Sequence, residues 1–122
     1  MAKTIMIVDD SASLRQVVKI ALSGAGYDVI EAADGRDALN KLDGRKVHLI
    51  ISDVNMPNMD GITFVRALKQ VAAYQFTPVV MLTTESEAAK MNEGRSAGAK
   101  AWVVKPFQPE QMLCAVAKLV MA

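Results

Sequence analysis

The apolar positions of this chain fall into short, unbroken runs separated by stretches in which they recur every three or four residues. Thr4 to Val8 (TIMIV) is one such run, closed abruptly by Asp9-Asp10, and it predicts a first buried strand. Ser11 or Ser13 can cap the helix that follows. Its apolar positions, Leu14, Val17, Val18, Ala21, Leu22 and Ala25, fall at helical spacing until Gly24 and Gly26 end it. Tyr27 to Glu31 (YDVIE) alternates only in part and predicts a less buried second strand. Asp34 caps a short helix carrying Ala38, Leu39 and Leu42, which Gly44 stops. The stretch from Val47 to Gly61 (VHLIISDVNMPNMDG) opens as a β-branched-rich apolar run without polar alternation. Strands buried on both faces read this way, and they belong to parallel sheets covered by helices. The run stops at Ser52 and Asp53, and Pro57, Asn58 and Asp60-Gly61 then force a turn.

A third helix begins at Gly61, with Ile62, Val65, Ala67 and Leu68 inward. Thr77 to Leu82 (TPVVML) is the fourth strand, with Pro78 near its start, where proline is tolerated. Ser86 to Ala97 predicts a fourth helix. It is weakly apolar (Ala88, Ala89, Met91) and contains Gly94, so it is expected to be the loosest helix. Gly98 ends it. Ala101 to Val104 is the fifth strand, and Pro109 opens a final helix with Met112, Leu113, Val116, Leu119 and Val120 inward. Five strands alternating with five helices predict an α/β fold: a doubly wound parallel sheet, helices on both faces, right-handed crossovers. Residues 1–122 are expected to form a single domain with no linker, repeat or further module.

Composition narrows the function by exclusion. The chain has 122 residues, 52% hydrophobic and 22% charged, with a net charge of +1. These values suit a globular protein with a real core. They give no basic stripe for nucleic acid. The single cysteine, Cys114, excludes an internal disulfide and a cysteine-rich metal cage, and it reads as an ordinary helix residue. Lys3 is followed by too few apolar residues before Asp9 for a signal peptide. No apolar run approaches the ~20 residues of a membrane span. A cytoplasmic, monomeric protein is expected.

Chemistry appears when the strand ends are set side by side. In an open α/β sheet, ligands bind at the carboxyl edge. Here that edge carries Asp9-Asp10 after the first strand, Asp53 after the third, Thr83 after the fourth and Lys105-Pro106 after the fifth. Taken singly, each is a cap, a turn residue or a solvated charge. Together they are a cluster. Carboxylates at ~4 Å and an effective dielectric of ~20 repel by about 4 kcal/mol per pair, so the site must take up protons or hold a cation. Hard oxygen ligands without nearby His or Cys favour Mg²⁺, bridged to a phosphate. With Mg²⁺ and Lys105 opposing three acids, Asp53 can act as a nucleophile toward a phosphoryl group. Met56 and Met59 stand beside this site and are expected to shield it, whereas His48 lies far from it.

Asp9-Asp10, Asp53, Thr83 and Lys105-Pro106-Phe107, with Met56-Pro57 and Asp60-Gly61 after the acidic site, resemble the receiver domain of bacterial response regulators over essentially the whole chain. The resemblance implies a flavodoxin-like (CheY-like) fold with sheet order 2-1-3-4-5. It implies that Asp53 accepts phosphate from a sensor histidine kinase of the CheA-like kind. Asp9 or Asp10, with Asp53 and the Asn55 main-chain carbonyl, would bind Mg²⁺, Lys105 would contact the phosphoryl oxygens, and Thr83 would turn toward the phosphate. Trp102 stands where the family has its aromatic switch residue, and its unmoving alternative is a partly buried edge residue. Asn55 and Glu85 match the pair that CheY-like relays place around the water attacking the phosphate, which implies a short-lived phosphoryl state, with an external phosphatase as a further partner.

The output implied is a surface formed by the fourth helix, fifth strand and fifth helix. CheY-like members bind the flagellar motor switch protein there, and Val104 and Phe107 match them. Trp102 stands where they carry tyrosine, and Ala88 where they carry lysine. A phosphate sink, or an adaptor in a non-flagellar sensory pathway, keeps the chemistry and changes the output. An aspartyl-phosphate phosphatase would need Asp-x-Asp after the first strand and a longer chain, so no external substrate is expected. A flavin carrier would place its phosphate against Asp9-Asp10-Ser11, which would repel it.

Overall fold

A computed structural model of the chain describes residues 3–83, 97–105 and 108–120. The elements run β1 (Thr4–Val8), α1 (Ala12–Gly24), β2 (Asp28–Ala32), α2 (Gly35–Leu42), β3 (Leu49–Asp53), α3 (Gly61–Lys69), a 3-10 turn (Ala72–Tyr74), β4 (Val79–Thr83), β5 (Ala101–Val104) and α4 (Pro109–Val120). The expected helix from Ser86, with Thr84 and Glu85 before it, lies outside the described residues apart from Ala97, as do Pro106 and Phe107.

The strands form one sheet in the order β2-β1-β3-β4-β5, with every neighbouring pair parallel. This is the sheet order the resemblance implied. Side chains alternate across the sheet, so two cores form. Met6, Val8, Ile50 and Met81 face α2 and α3, meeting Ala38, Leu42, Phe64, Val65 and Leu68. Ile5, Ile7, Leu49, Ile51, Val80 and Leu82 face α1 and α4, meeting Val18, Leu22, Met112, Val116 and Val120. The chain leaves β1 toward one edge and then works back toward the other. Crossovers of one hand therefore place α1 opposite α2 and α3, as observed. β3 and β4 are buried throughout, and the edge strands β2 and β5 are only partly so.

The boundaries moved where hydrogen bonds outweighed hydrophobicity. Tyr27 closes the end of α1 through its N–H to the Leu22 carbonyl, so β2 begins at Asp28 and extends to Ala32. Thr77 similarly donates to Tyr74, and β4 begins at Val79 and takes in Thr83. Two residues expected on the inner face of the first helix are not there. Val17 is 51% exposed, because it lies about 100° around the helix from buried Val18. Ala25 is the exposed C-cap, beyond the last turn. In α3, Phe64 is fully buried while Ala67 is only half-buried. All five apolar positions expected inward in the final helix are buried or half-buried.

Candidate functional site

The chain order of a 2-1-3-4-5 sheet reverses between β1 and β3, and a crevice opens at their carboxyl ends. Asp9 stands just past β1 and Asp53 is the last residue of β3. Both are buried, 1% and 6% exposed, while Asp10 is exposed. Carboxylate oxygens of the three lie within 4.8 Å of one another.

Each residue is held by the local chain. The Asp9 N–H donates to the Ala32 carbonyl at 3.1 Å, its carbonyl accepts from Arg15 Nη1 at 2.5 Å, and its Oδ1 accepts from the Ser11 N–H at 2.8 Å. Ser11 in turn caps α1 by accepting from the Leu14 N–H. Arg15 is steadied by Glu31 on β2, 3.3 Å away. Asp53 Oδ1 accepts from the Val54 N–H at 2.9 Å. Behind Asp53, α3 starts so close that a Cβ on Gly61 would lie 2.0 Å from the Asp53 carbonyl oxygen. Only glycine permits that approach.

Lys105 follows β5 and reaches back across the sheet edge. Its Nζ lies 3.1 Å from Asp53 Oδ1 and 3.4 Å from Asp9 Oδ2. Its main-chain N–H donates to the Thr83 carbonyl at 2.6 Å. Thr83 is fully buried at the end of β4, paired in register with Val104. One ammonium group thus serves two buried acids. Burial, then the charge of Asp9, pushes the Asp53 carboxyl above its ordinary value despite the opposing pull of Lys105. Burial is also the largest single influence on Lys105 and acts to lower its pKa, but Asp9 and Asp53 together overcome it and raise it.

The donor set therefore carries more negative charge than Lys105 relieves. It is built of hard oxygens, and it suits a small divalent cation, with Asp9, Asp10 and Asp53 as the side chains that would hold it. Asn55 is exposed two residues beyond Asp53, in the loop that leaves the site.

The structure brings Asp9, Asp10, Asp53 and Lys105 together, with Thr83 joined to them through the backbone of Lys105. Trp102 and Val104 lie on β5, away from the acids. Trp102 packs against the core beneath the sheet, its Nε1 buried without a hydrogen-bond partner among the described residues, and Val104 is 41% exposed. Phe107 and Glu85 lie outside the described residues. Met56 and Met59 are partly buried against the core, and the Met59 side chain would lie within 3.0 Å of a Cβ on Gly35, so packing on α2 is its structural role. Sequence reasoning missed Arg15 on the Asp9 carbonyl, the close approach of Gly61, and the capping of α3 by Asp60, which accepts from the Thr63 N–H. An Asp-Gly pair ahead of apolar residues at helical spacing was the available signal for the last two.

Comparison with known proteins places this geometry. Residues 5–117 match the family described as the response regulator receiver domain. Chemotaxis protein CheY1 of Helicobacter pylori is 37% identical over 108 residues, covering 87% of each chain. Protein PilG of Pseudomonas aeruginosa is 35% identical over 112 residues, covering 92% of this chain and 83% of its own. The crystal structure of chemotaxis protein CheY4 of Vibrio cholerae superposes with a TM-score of 0.92 at 47% identity, covering 98% of this chain and 99% of that one. A match this extensive, on a sheet whose order and acidic edge agree, means that the chain belongs to the response regulator receiver domain family, among its CheY-like members.

Proposed function

We propose that residues 1–122 act as one receiver unit in which Asp53 takes a phosphoryl group from the histidine of a CheA-like sensor kinase, with Mg²⁺ held by Asp9, Asp10, Asp53 and the main-chain carbonyl of Asn55. The observation that carries this reading is the position of Asp53. It is a buried carboxylate within 4.8 Å of two others, 3.1 Å from an ammonium group, at the switch point of the sheet. Attack on phosphorus requires Asp53 ionised, and its burial beside Asp9 works against that. Lys105, 3.1 Å away, favours the ionised form, and a bound cation would favour it further. Phosphoryl transfer then breaks the P–N bond of the donor histidine and forms a P–O bond to Asp53, with Lys105 answering the added charge. A divalent cation held by Asp9, Asp10 and Asp53 would supply charge neutralisation for the transferring group. Incubation with Mg²⁺ and acetyl phosphate should label Asp53 and leave Asp53→Asn unlabelled. A wild-type protein that takes no label, from acetyl phosphate or a cognate kinase, overturns the proposal.

The response runs through Thr83. Turning its hydroxyl toward the phosphate would shift the end of β4, and the register pairing of Thr83 with Val104 and its bond to Lys105 would carry the change to β5. Trp102 and Val104 would then belong to the output surface with α4, together with Phe107 and the helix expected from Ser86, which lie outside the described residues. Its reader is the flagellar motor switch protein. Family membership favours a signalling protein acting on itself, without an external substrate. Asn55 and Glu85 set the lifetime of the phosphoryl group, with a phosphatase as a further partner, and replacing both should slow its loss. Among the described residues no helix is long and apolar enough to cross a membrane. The relay would act as a cytoplasmic monomer. Trp102 and Ala88, where CheY-like relays carry tyrosine and lysine, favour a second reading: a phosphate sink or an adaptor in a non-flagellar pathway. Titrating purified motor switch protein with and without beryllofluoride separates the two.

A further inference from the structure

The loop from Val54 to Asp60 leaves the site directly after Asp53 and carries Asn55, which is exposed. Its ends are anchored by the Val54 N–H to the Leu82 carbonyl at 3.2 Å and the Gly61 N–H to the Val54 carbonyl at 2.8 Å. Between these anchors, Met59 donates to the Pro57 carbonyl at 2.7 Å, a bond inside the loop. The loop is tied sideways to the start of α2. Asn58 Nδ2 donates to Asp34 Oδ2 at 2.8 Å, and the Gly35 N–H donates to the Met59 carbonyl at 3.3 Å.

The ties converge on an unusual backbone. Asn58 has φ of 66°, a left-handed conformation that few residues other than glycine and asparagine tolerate. Asparagine suits the position because it accepts this conformation and also reaches Asp34. The Asp34 carboxylate serves two masters, capping α2 through Oδ1 to the Asp37 N–H at 2.8 Å while Oδ2 holds Asn58. These bonds, the Asp37 N–H first and Asn58 second, hold its carboxyl below the usual range. At Gly35 a Cβ would meet Met59 Cγ at 2.8 Å and Phe64 Cβ at 2.9 Å, so the absence of a side chain lets the loop seat.

We propose that Asp34, Gly35 and Asn58 form a strap that positions the Val54–Asp60 loop, and through it the Asn55 main chain, for the divalent cation. They are positioning residues, since none belongs to the acidic cluster. The inference rests on the proposed function for what the loop holds, but the strap itself can be read in the metal-free protein. Asn58→Gly keeps the left-handed backbone and deletes the bond to Asp34. Asn58→Asp sets a carboxylate against a carboxylate. The exchange Asp34→Asn with Asn58→Asp rebuilds the bond in the reverse direction, keeps a capping side chain at 34 and leaves the net charge unchanged.

Asn58→Gly should speed amide exchange at Gly35 in EDTA. It should also weaken Mg²⁺ binding, by calorimetry, about tenfold, as loss of an outer partner of a metal site does. Asn58→Asp should exchange faster still at Gly35. The double exchange should return both readouts to within about twofold of wild type, because the coupling between the two positions is restored. Unchanged Mg²⁺ affinity in Asn58→Gly, or a double variant that exchanges as fast at Gly35 as Asn58→Asp, overturns the strap. Failure of wild-type protein to label at Asp53 overturns the phosphoacceptor role instead, and the calorimetry and exchange still decide the positioning.

Discussion

Replacing Asp53 with asparagine removes a charge and keeps the shape, and the site predicts a stability change whose sign depends on the solution. Within 4.8 Å of Asp9, the ionised Asp53 carboxylate is repelled by at least ~3 kcal/mol at an effective dielectric of ~20. Lys105 at 3.1 Å returns ~5 kcal/mol on the same scale. These two Coulomb terms would therefore favour keeping the charge by about 2 kcal/mol, and the repulsion from Asp10, which is exposed and screened by solvent, erodes that margin. Burial reverses this, because withdrawing an ion from water costs several kcal/mol, leaving a net gain from Asp53→Asn on the order of 1 kcal/mol. Linkage fixes the pH dependence. The folded carboxyl titrates above its unfolded value, so the native state holds more protons in the window between the two, and stability falls as pH rises through it. In EDTA at neutral pH, Asp53→Asn should melt about 4 °C higher than wild type, and the advantage should fade as pH falls toward about 4. Saturating Mg²⁺ should reverse the order, because at about 100 times its dissociation constant a ligand stabilises by about 2.7 kcal/mol and the variant has lost a ligand atom. Melting curves in EDTA and in Mg²⁺, at several pH values, test all three arms. A variant no more stable than wild type in EDTA at neutral pH would show that Lys105 outweighs burial, and the charge argument for a cation would fail.

Gly61→Ala should destabilise the fold by about 2–4 kcal/mol in urea titrations, because the added methyl meets the Asp53 carbonyl oxygen, which no side-chain rotation can relieve. It should weaken Mg²⁺ binding as well, since Asp53 must shift to make room. Tyr74→Phe should cost about 1–2 kcal/mol by the same measurement, because the Tyr74 hydroxyl serves the carbonyls of Leu42 and Arg45 at 3.0 and 2.8 Å. Mg²⁺ with beryllofluoride should change Trp102 fluorescence, and an unchanged spectrum under proven binding would remove Trp102 from the switch.

The acidic site was legible in sequence for a geometric reason. In a parallel sheet every strand ends on the same edge, so residues just past successive apolar runs become neighbours without any knowledge of the loops. Asp9, Asp53, Thr83 and Lys105 all satisfy that rule. The helices were legible where one face is clearly apolar, as in α4, and misread where a stripe narrows. Val17, expected inward, is 51% exposed on α1, because buried Val18 and Leu22 already fill the line of contact with the sheet. Contacts that depend on the path of a loop left no periodic trace. Asn58 and Asp34 are 24 residues apart, and only the left-handed turn at Asn58 brings its amide within reach. Arg15 reads as an ordinary solvated helix residue until the turn after Asp9 offers it a carbonyl.

The least legible feature is a backbone bond that joins the end of β4 to the cation of the acidic site. Thr83 is fully buried, and its carbonyl accepts the main-chain N–H of Lys105, the residue whose ammonium group lies between Asp9 and Asp53. The backbone at the end of β4 and the cation of the acidic site are thus parts of one short segment. A close-packed interior transmits displacement because it has no slack to absorb it. In the proposed switch, a shift of Thr83 would therefore move Lys105 at the end of β5, and charge added at Asp53 would move it from the other side by drawing on its side chain. Val104, 41% exposed and paired with Thr83, lies where both proposed displacements would reach the surface. In the proposed switch, that convergence favours a readable change on the partly exposed edge strand β5 rather than on β3, which is buried along its whole length.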